Sequence, residues 1–217
     1  INMSLTCDEL RKAISARDGQ EIVRVLEPRV IAGETTEAES LLCGIVLLMP
    51  PIADYAAAAR IFAKVIKGSR RLEAAVWDAY RFAVLMPVGS QSFEEVLKEN
   101  KNSAIAAHMR SMVAAANSDL SLALEESRLS RSLRVFPFNA IYGLKNDFDL
   151  DIDEKIDLWR SINDLVVSKS AELDAAPLTV EGVLQSYWEN LIVGTRVTSC
   201  LWDDYCKMFN DYYWLQY

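Results

Sequence analysis

The sequence predicts an all-α protein made of antiparallel helical hairpins, and three observations support this fold class. The chain of 217 residues contains only 8 glycines and 6 prolines, fewer than an all-β protein needs for its tight turns. Apolar residues recur at helical spacing, and no convincing strand pattern is present. Three hairpins are predicted to begin near Thr36, Arg70 and Ser103, which are 34 and 33 residues apart. A constant period of this length is typical of stacked helical hairpins.

Two helices are predicted before the first of these hairpins, over residues 5–16 and 20–32. Thr6 and Glu9 form a capping-box pattern at the start of the first helix. Pro28 lies inside the second helix and predicts a kink or an early end, because proline removes a backbone donor. The two helices are a candidate for one further hairpin.

The three hairpins carry recognisable helix boundaries. Thr36 and Glu39 predict a capping box at the start of a helix over residues 37–49, which is apolar on almost every side. A helix of that kind is buried by neighbours on both sides, as an inner helix of a solenoid is. The other helices of the hairpins are predicted at 55–68, 70–86, 93–100, 104–117 and 120–135.

The composition changes after Pro137. Residues 138–151 are predicted to be irregular, and helices are predicted at 152–173 and 180–193. Four of the five tryptophans lie in this part of the chain. We therefore predict a helical repeat region at 1–137 and an aromatic-rich helical C-terminal region at 138–217 packed on it, with a single compact domain as the alternative.

Residues 36–137 resemble degenerate tetratricopeptide (TPR) repeats. That family places a bulky residue early in the first helix of each hairpin, small residues where the two helices cross, and often a proline at the end of the second helix. The matching residues are Trp77 early in a first helix, Ala58 with Phe62 as the small and aromatic pair of a second helix, Ala123 at the small position of the last hairpin, and Pro137 as the terminal proline.

The chain also departs from the family pattern. The small position of the first helix, usually glycine or alanine, falls at Val46 or Arg81, and the second helix of the middle hairpin is short. The alternative is an irregular helical bundle in which the spacing is a coincidence.

The resemblance implies a TPR-like right-handed superhelix with a helical C-terminal cap and a concave groove lined by the first helices. In this register Asp78, Phe82, His108 and Met112 face the groove and are candidates for partner binding. Each also has a structural interpretation: Phe82 and Met112 as core residues, His108 as a surface or inter-helix histidine, and Asp78 as part of a solvated face.

The C-terminal aromatic residues have two interpretations. Tyrosines and tryptophans in an acidic setting are typical of protein-binding surfaces. The same residues could instead close the core at the end of a solenoid, where a cap is needed. The candidates for partner binding are Trp202, Tyr205, Tyr212 and Trp214.

The acidic run from Asp147 to Asp153 has the alternating spacing of a calcium-binding EF-hand loop. However, Ile152 occupies the position that needs glycine, and Leu158 occupies the position that needs a bidentate glutamate. A capping box between Asp151 and Glu154 at a helix start explains the same residues. We therefore expect no metal site here.

Composition and motifs argue against several other functions. The net charge of −8 and the absence of a basic cluster argue against nucleic-acid binding. The longest apolar run, 41–53, contains two prolines and is too short to cross a bilayer. We expect free, buried cysteines, no cofactor, no catalytic site and a soluble cytoplasmic protein.

Protein–protein binding is the function that these predictions favour. One role is an adaptor or chaperone that holds a peptide or helix in the concave groove. The alternative is an acidic inhibitor, such as an immunity protein, that neutralises a basic toxin or enzyme. The partner is expected to be another protein or peptide, homo-oligomers are compatible with the sequence, and an enzyme of unrecognised type is the third class.

Overall fold

The computed structural model describes residues 3–89, 91–169 and 179–193, with side chains at 7–89, 91–162 and 179–189. These ranges contain eleven α-helices and no strand, which confirms the all-α fold class. None of these helices is both long enough and apolar enough to cross a bilayer. A π-helical segment, Arg81–Leu85, follows α5 directly. The helices are α1 (Met3–Ser15), α2 (Gly19–Ala32), α3 (Glu37–Leu48), α4 (Tyr55–Ser69), α5 (Leu72–Tyr80), α6 (Phe93–Glu99), α7 (Ala104–Ala116), α8 (Leu120–Leu133), α9 (Pro137–Asn146), α10 (Ile152–Lys169) and α11 (Val180–Val193).

The helices form two compact units. The first contains α1 to α6, and the second contains α7 to α10, with α11 divided between them after Ser186. The division falls between Asn100 and Lys101, whereas the composition of the sequence changes after Pro137.

In the first unit each helix packs against the next one along the chain. Helix α3 lies between α2 and α4, and every residue from Ser40 to Leu48 is buried. This confirms the prediction that a helix apolar on almost every side is covered on both sides. The predicted capping box is also present, since Thr36 Oγ1 accepts from Glu39 N at 3.1 Å and Glu39 Oε2 accepts from Thr36 N at 3.0 Å.

The close approach of α3 and α4 depends on Gly44. A Cβ atom at this position would lie 2.7 Å from Cε1 of Phe62, a distance that real Cβ contacts do not reach. The small residue where these two helices meet is therefore Gly44, and the assignment of that position to Val46 was wrong. Val46 is an ordinary core residue, 2% exposed.

In the second unit α8 packs against α7 and α9, and α9 packs against α10. Small polar residues make the α7–α8 contact: Ser111 Oγ donates to the carbonyl of Ala123 at 2.6 Å, and Ser130 Oγ donates to the carbonyl of Ala104 at 2.7 Å. A separate apolar cluster joins α9 to α10 around Ala140, Ile141, Trp159 and Ile162.

Helix α9 corrects the prediction that residues 138–151 are irregular. Pro137 occupies the first turn of the helix, where a missing N–H has no cost, and Asn139 Oδ1 accepts from Phe136 N at 2.9 Å. Gly143 resembles a helix breaker in the sequence, but it lies directly under Arg131, where a Cβ atom would be 2.5 Å from Nη1. Because Gly143 has no side chain, Arg131 of α8 can pack directly against α9 at this position.

Gly44→Ala is expected to destabilise the first unit by roughly 1–3 kcal/mol, because the added methyl group must displace the ring of Phe62. Gly68→Ala in α4 is the matched control, since nothing lies within 4 Å of its Cβ position. Alanine should there stabilise by up to about 1 kcal/mol through helix propensity alone. Urea unfolding followed by circular dichroism measures both, and equal stabilisation by the two variants would contradict the close approach.

Candidate functional site

Three of the four predicted groove residues have buried side chains. Phe82 is 4% exposed and packs against Phe93 with ring centroids 5.7 Å apart, so its core interpretation is the correct one. Asp78 is 1% exposed and His108 is 0% exposed, so neither lies on a groove surface or a solvated face. Met112 is half-buried on α7. The expectation that these residues line an exposed groove is therefore wrong for Asp78, Phe82 and His108.

Asp78 forms a buried ion pair with Arg81, three residues later. Arg81 Nε donates to Asp78 Oδ1 at 2.7 Å, and Arg81 Nη1 donates to the carbonyls of Met86 and Val88 at 3.0 and 2.8 Å. Burial raises the pKa of Asp78 to about 6, although the hydrogen bond and the charge of Arg81 oppose the shift. The pair thus attaches the segment after the π-helical turn to the core of the first unit.

His108 lies among aromatic rings in the second unit. Its ring centroid is 5.6 Å from that of Phe136, 6.1 Å from that of Phe138 and 5.9 Å from that of Tyr142. Among the described residues, neither ring nitrogen has a hydrogen-bond partner. Burial, together with repulsion from Arg131, lowers the pKa of His108 to about 3, so the imidazole is neutral and behaves as a core aromatic residue.

The four predicted C-terminal candidates, Trp202, Tyr205, Tyr212 and Trp214, lie outside the described residues. The same is true of Cys200 and Cys206. Of the other two cysteines, Cys43 is free and buried as expected, and burial raises its pKa to about 12. Cys7 is free but exposed, so the expectation of a buried thiol is wrong at that position.

The surface of the second unit offers a different candidate, the turn between α9 and α10. Phe148 in this turn is 90% exposed. The residues on both sides of it are fixed: Asp147 N donates to the carbonyl of Gly143 at 2.8 Å, and Asp149 N donates to Asp147 Oδ1 at 3.4 Å. An aromatic side chain is therefore held away from the protein by a turn whose backbone is bonded to the helix before it.

Two arginines of α8 hold this turn. Arg128 Nε and Nη2 donate to the two carboxylate oxygens of Asp147 at 3.0 and 2.8 Å, and Nη2 also donates to Asp149 Oδ2 at 2.7 Å. Arg131 Nη2 donates to Asp147 Oδ2, and its Nη1 donates to Ser127 Oγ at 2.6 Å. The hydrogen bonds from Arg128 hold the pKa of Asp147 below its usual range. We call this set of contacts the arginine clamp.

Exposed carboxylates follow Phe148 along the chain. The predicted capping box is present at the start of α10, where Asp151 Oδ1 accepts from Glu154 N and Glu154 Oε2 accepts from Asp151 N, both at 2.9 Å. The side chains of Asp149, Asp153 and Asp157 are also exposed. An open cleft of about 390 Å³ lies beside the turn, but its two arginines are already paired with aspartates. The acidic run thus serves the arginine clamp and the helix cap, and no group of residues suited to a metal occurs in the described ranges.

Sequence reasoning missed Phe148 because the acidic run was interpreted through its carboxylates alone. An aromatic residue between two aspartates, just ahead of a capping box, was the available signal. No comparable signal pointed to Arg128, since it lies 19 residues before Asp147 and meets it only through the packing of α8 on α9.

The buried ion pair predicts a non-additive mutant cycle. Arg81→Met leaves the Asp78 carboxylate buried without its partner and should cost roughly 3–5 kcal/mol at pH 8. The loss should be smaller at pH 5, because the carboxyl can then take up a proton. The double variant Asp78→Leu/Arg81→Met should cost less than Arg81→Met alone. Urea unfolding of these two variants and of Asp78→Leu at both pH values measures this. Losses of the two single variants that add up to the loss of the double variant, and that do not change with pH, would exclude the interpretation.

His108 is the only histidine, so its imidazole signal can be assigned without a variant. Its lowered pKa means that the folded state binds fewer protons than the unfolded state between about pH 3 and pH 6.5. The contribution of His108 to the free energy of unfolding is therefore fully present above pH 6.5, and it falls by about 2 kcal/mol when the pH is lowered to 5. The NMR signal of the His108 imidazole in the folded protein should not titrate between pH 8 and pH 5. The His108→Phe variant should lose the part of the pH dependence of stability that comes from this residue. A midpoint near 6.5 in the folded protein would contradict a sealed site.

Comparison with known proteins gives no match: no family model fits the chain, and no curated protein or solved structure is significantly similar to it. The resemblance to TPR repeats and the function therefore rest on the residues and contacts of this chain.

Proposed function

We propose that this protein is a non-catalytic protein–protein interaction module that binds a basic partner through the acidic surface around Phe148, in the manner of an inhibitor or immunity protein. The observation that carries this proposal is the 90% exposure of Phe148 on a turn held by the arginine clamp. Aromatic side chains, phenylalanine among them, are enriched in the cores of protein interfaces.

A partner that covers the ring of Phe148 would gain the hydrophobic free energy that the exposed ring does not contribute to folding. Burying a phenylalanine is worth roughly 2–3 kcal/mol, and Phe148 gains almost none of this within the chain. The arginine clamp also limits the motion of the turn, so less conformational entropy is lost when a partner binds.

The charges around Phe148 favour a basic partner. Asp153 and Asp157 are exposed on the following helix, and the whole chain has a net charge of −8. Complementary charges at the edge of an interface mainly raise the association rate and make it sensitive to salt. The expected binding site on the partner is an apolar pocket surrounded by lysine or arginine.

The adaptor or chaperone role is the second candidate. The first helices of successive hairpins start at Met3, Glu37 and Leu72 in the first unit, spacings of 34 and 35 residues. This supports a TPR-like superhelix and a peptide-binding groove. The burial of Asp78, Phe82 and His108 counts against these residues as its lining.

Phe148→Ala is expected to abolish partner capture and to leave the fold intact, because the ring contributes little to the core. The test immobilises the full chain, exposes it to an extract of the source cell at about 50 mM and 500 mM salt, and identifies the bound proteins by mass spectrometry. A basic protein should be retained at low salt, released at high salt and lost with Phe148→Ala.

Ile31→Ala is the matched control, since Ile31 is another exposed apolar residue, 78% exposed, in the first unit. It should leave capture unchanged. If the wild type and Phe148→Ala retain the same proteins, the proposal is wrong. A peptide or helix retained at high salt by both would support the groove role instead.

A further inference from the structure

Helix α8 presents its large apolar residues outward and its small residues inward. The side chains buried against the second unit are Ala123, Ser127 and Ser130. Leu122, Leu129 and Leu133 are 42%, 40% and 39% exposed. Their spacing of seven and four residues places these three leucines on one face of the helix, and we call them the leucine stripe. Glu126, four residues after Leu122, lies on the same face, and its carboxylate is paired with Arg110 of α7 at 3.0 Å.

This arrangement reverses the usual orientation of an amphipathic helix, which buries its leucines and exposes its serines. It is fixed by hydrogen bonds, because the carbonyl of Ala123 accepts from Ser111 and Ser130 donates to the carbonyl of Ala104. The helix cannot rotate its leucines inward without breaking these bonds. The leucine stripe therefore gains burial only from a surface outside the described chain.

The charges at the two ends of α8 indicate what that surface is. Asp119 is exposed at the N-terminal cap, and Arg134 is exposed at the C-terminal cap. Neither of them forms an ion pair with another residue in the part of the chain that the structure describes. A second copy of α8 running antiparallel brings an aspartate to each arginine, whereas a parallel copy places like charges together. An isologous two-fold contact needs a self-complementary pattern of this kind.

We infer that two copies of the chain associate through the leucine stripe, with their α8 helices antiparallel across a two-fold axis. When Leu122 lies level with Leu133 of the second copy, Asp119 and Arg134 of the second copy are offset by about 3 Å along the helix axis. The two Leu129 residues are then offset by about 5 Å along the helix axis, so both lie close to the two-fold axis of the dimer.

The contact is small, so the dimer is weak. One pair of 14-residue helices is about 21 Å long and buries less than the roughly 800 Å² per partner of a standard interface. The net charge of −8 on each chain also opposes association. We expect a dissociation constant on the order of 10–100 µM in about 0.15 M salt. The leucine stripe does not include Phe148, and the variants that test the two proposals are different, so this inference and the proposed function can fail independently.

Sedimentation velocity of the full chain from about 5 to 500 µM tests the inference. The wild type should shift from monomer to dimer across this range. Leu129→Glu places two carboxylates near the two-fold axis and should weaken the dimer about 100-fold or more. Leu120→Glu is the matched control, because Leu120 is 73% exposed at the start of the same helix but off the stripe, and it should change dimerisation little.

Arg134→Glu tests the orientation. It reverses both end-to-end charge pairs and should weaken the dimer roughly tenfold, without touching the backbone contact that Arg134 makes with Asn139. Circular dichroism checks that each variant is folded, and Leu133→Glu replaces Leu129→Glu if the latter is not. A wild type that stays monomeric at 500 µM overturns the inference. So does a dimer that resists the stripe variant, or one that Arg134→Glu leaves unchanged or strengthens.

Discussion

The buried carboxylate of Asp147 is the interaction on which the second unit most depends. It is 2% exposed and accepts hydrogen bonds from Arg128 and Arg131, both on α8. A buried carboxylate without such partners would cost several kcal/mol, so the positions of α8, the end of α9 and the turn after it are coupled. The absence of a side chain at Gly143 leaves the space that Arg131 occupies. The exposed position of Phe148 is a consequence of this packing.

The two units place their buried polar groups differently. In the first unit the Asp78–Arg81 pair lies within one helical turn and holds the backbone after the π-helical segment. In the second unit the polar contacts run between helices, from serine hydroxyls of α7 and α8 to backbone carbonyls. Small serines allow α8 to approach α7 closely, and this close approach is what leaves the larger leucines of α8 on the outside.

The two candidate surfaces of the second unit differ in kind. Phe148 is a single aromatic residue on a clamped acidic turn, which suits an apolar pocket with a basic edge. The leucine stripe is a set of three leucines, with the paired Glu126 on the same face, between opposite charges at the two ends of a helix, which suits a copy of itself. Both are apolar surfaces that the described chain leaves uncovered, and neither requires catalysis or a cofactor.

The sequence by itself determined the features that depend on residues close together in the chain. The all-α class, the capping boxes at Thr36 and Asp151, and the burial of α3 from Ser40 to Leu48 follow from patterns within one or two helical turns. Only the tertiary structure decided the contacts between residues far apart, such as Gly44 with Phe62 and Arg128 with Asp147. It also turned the leucines of α8 outward, because the face that a helix buries depends on how closely its neighbours approach, and periodicity alone does not specify that distance.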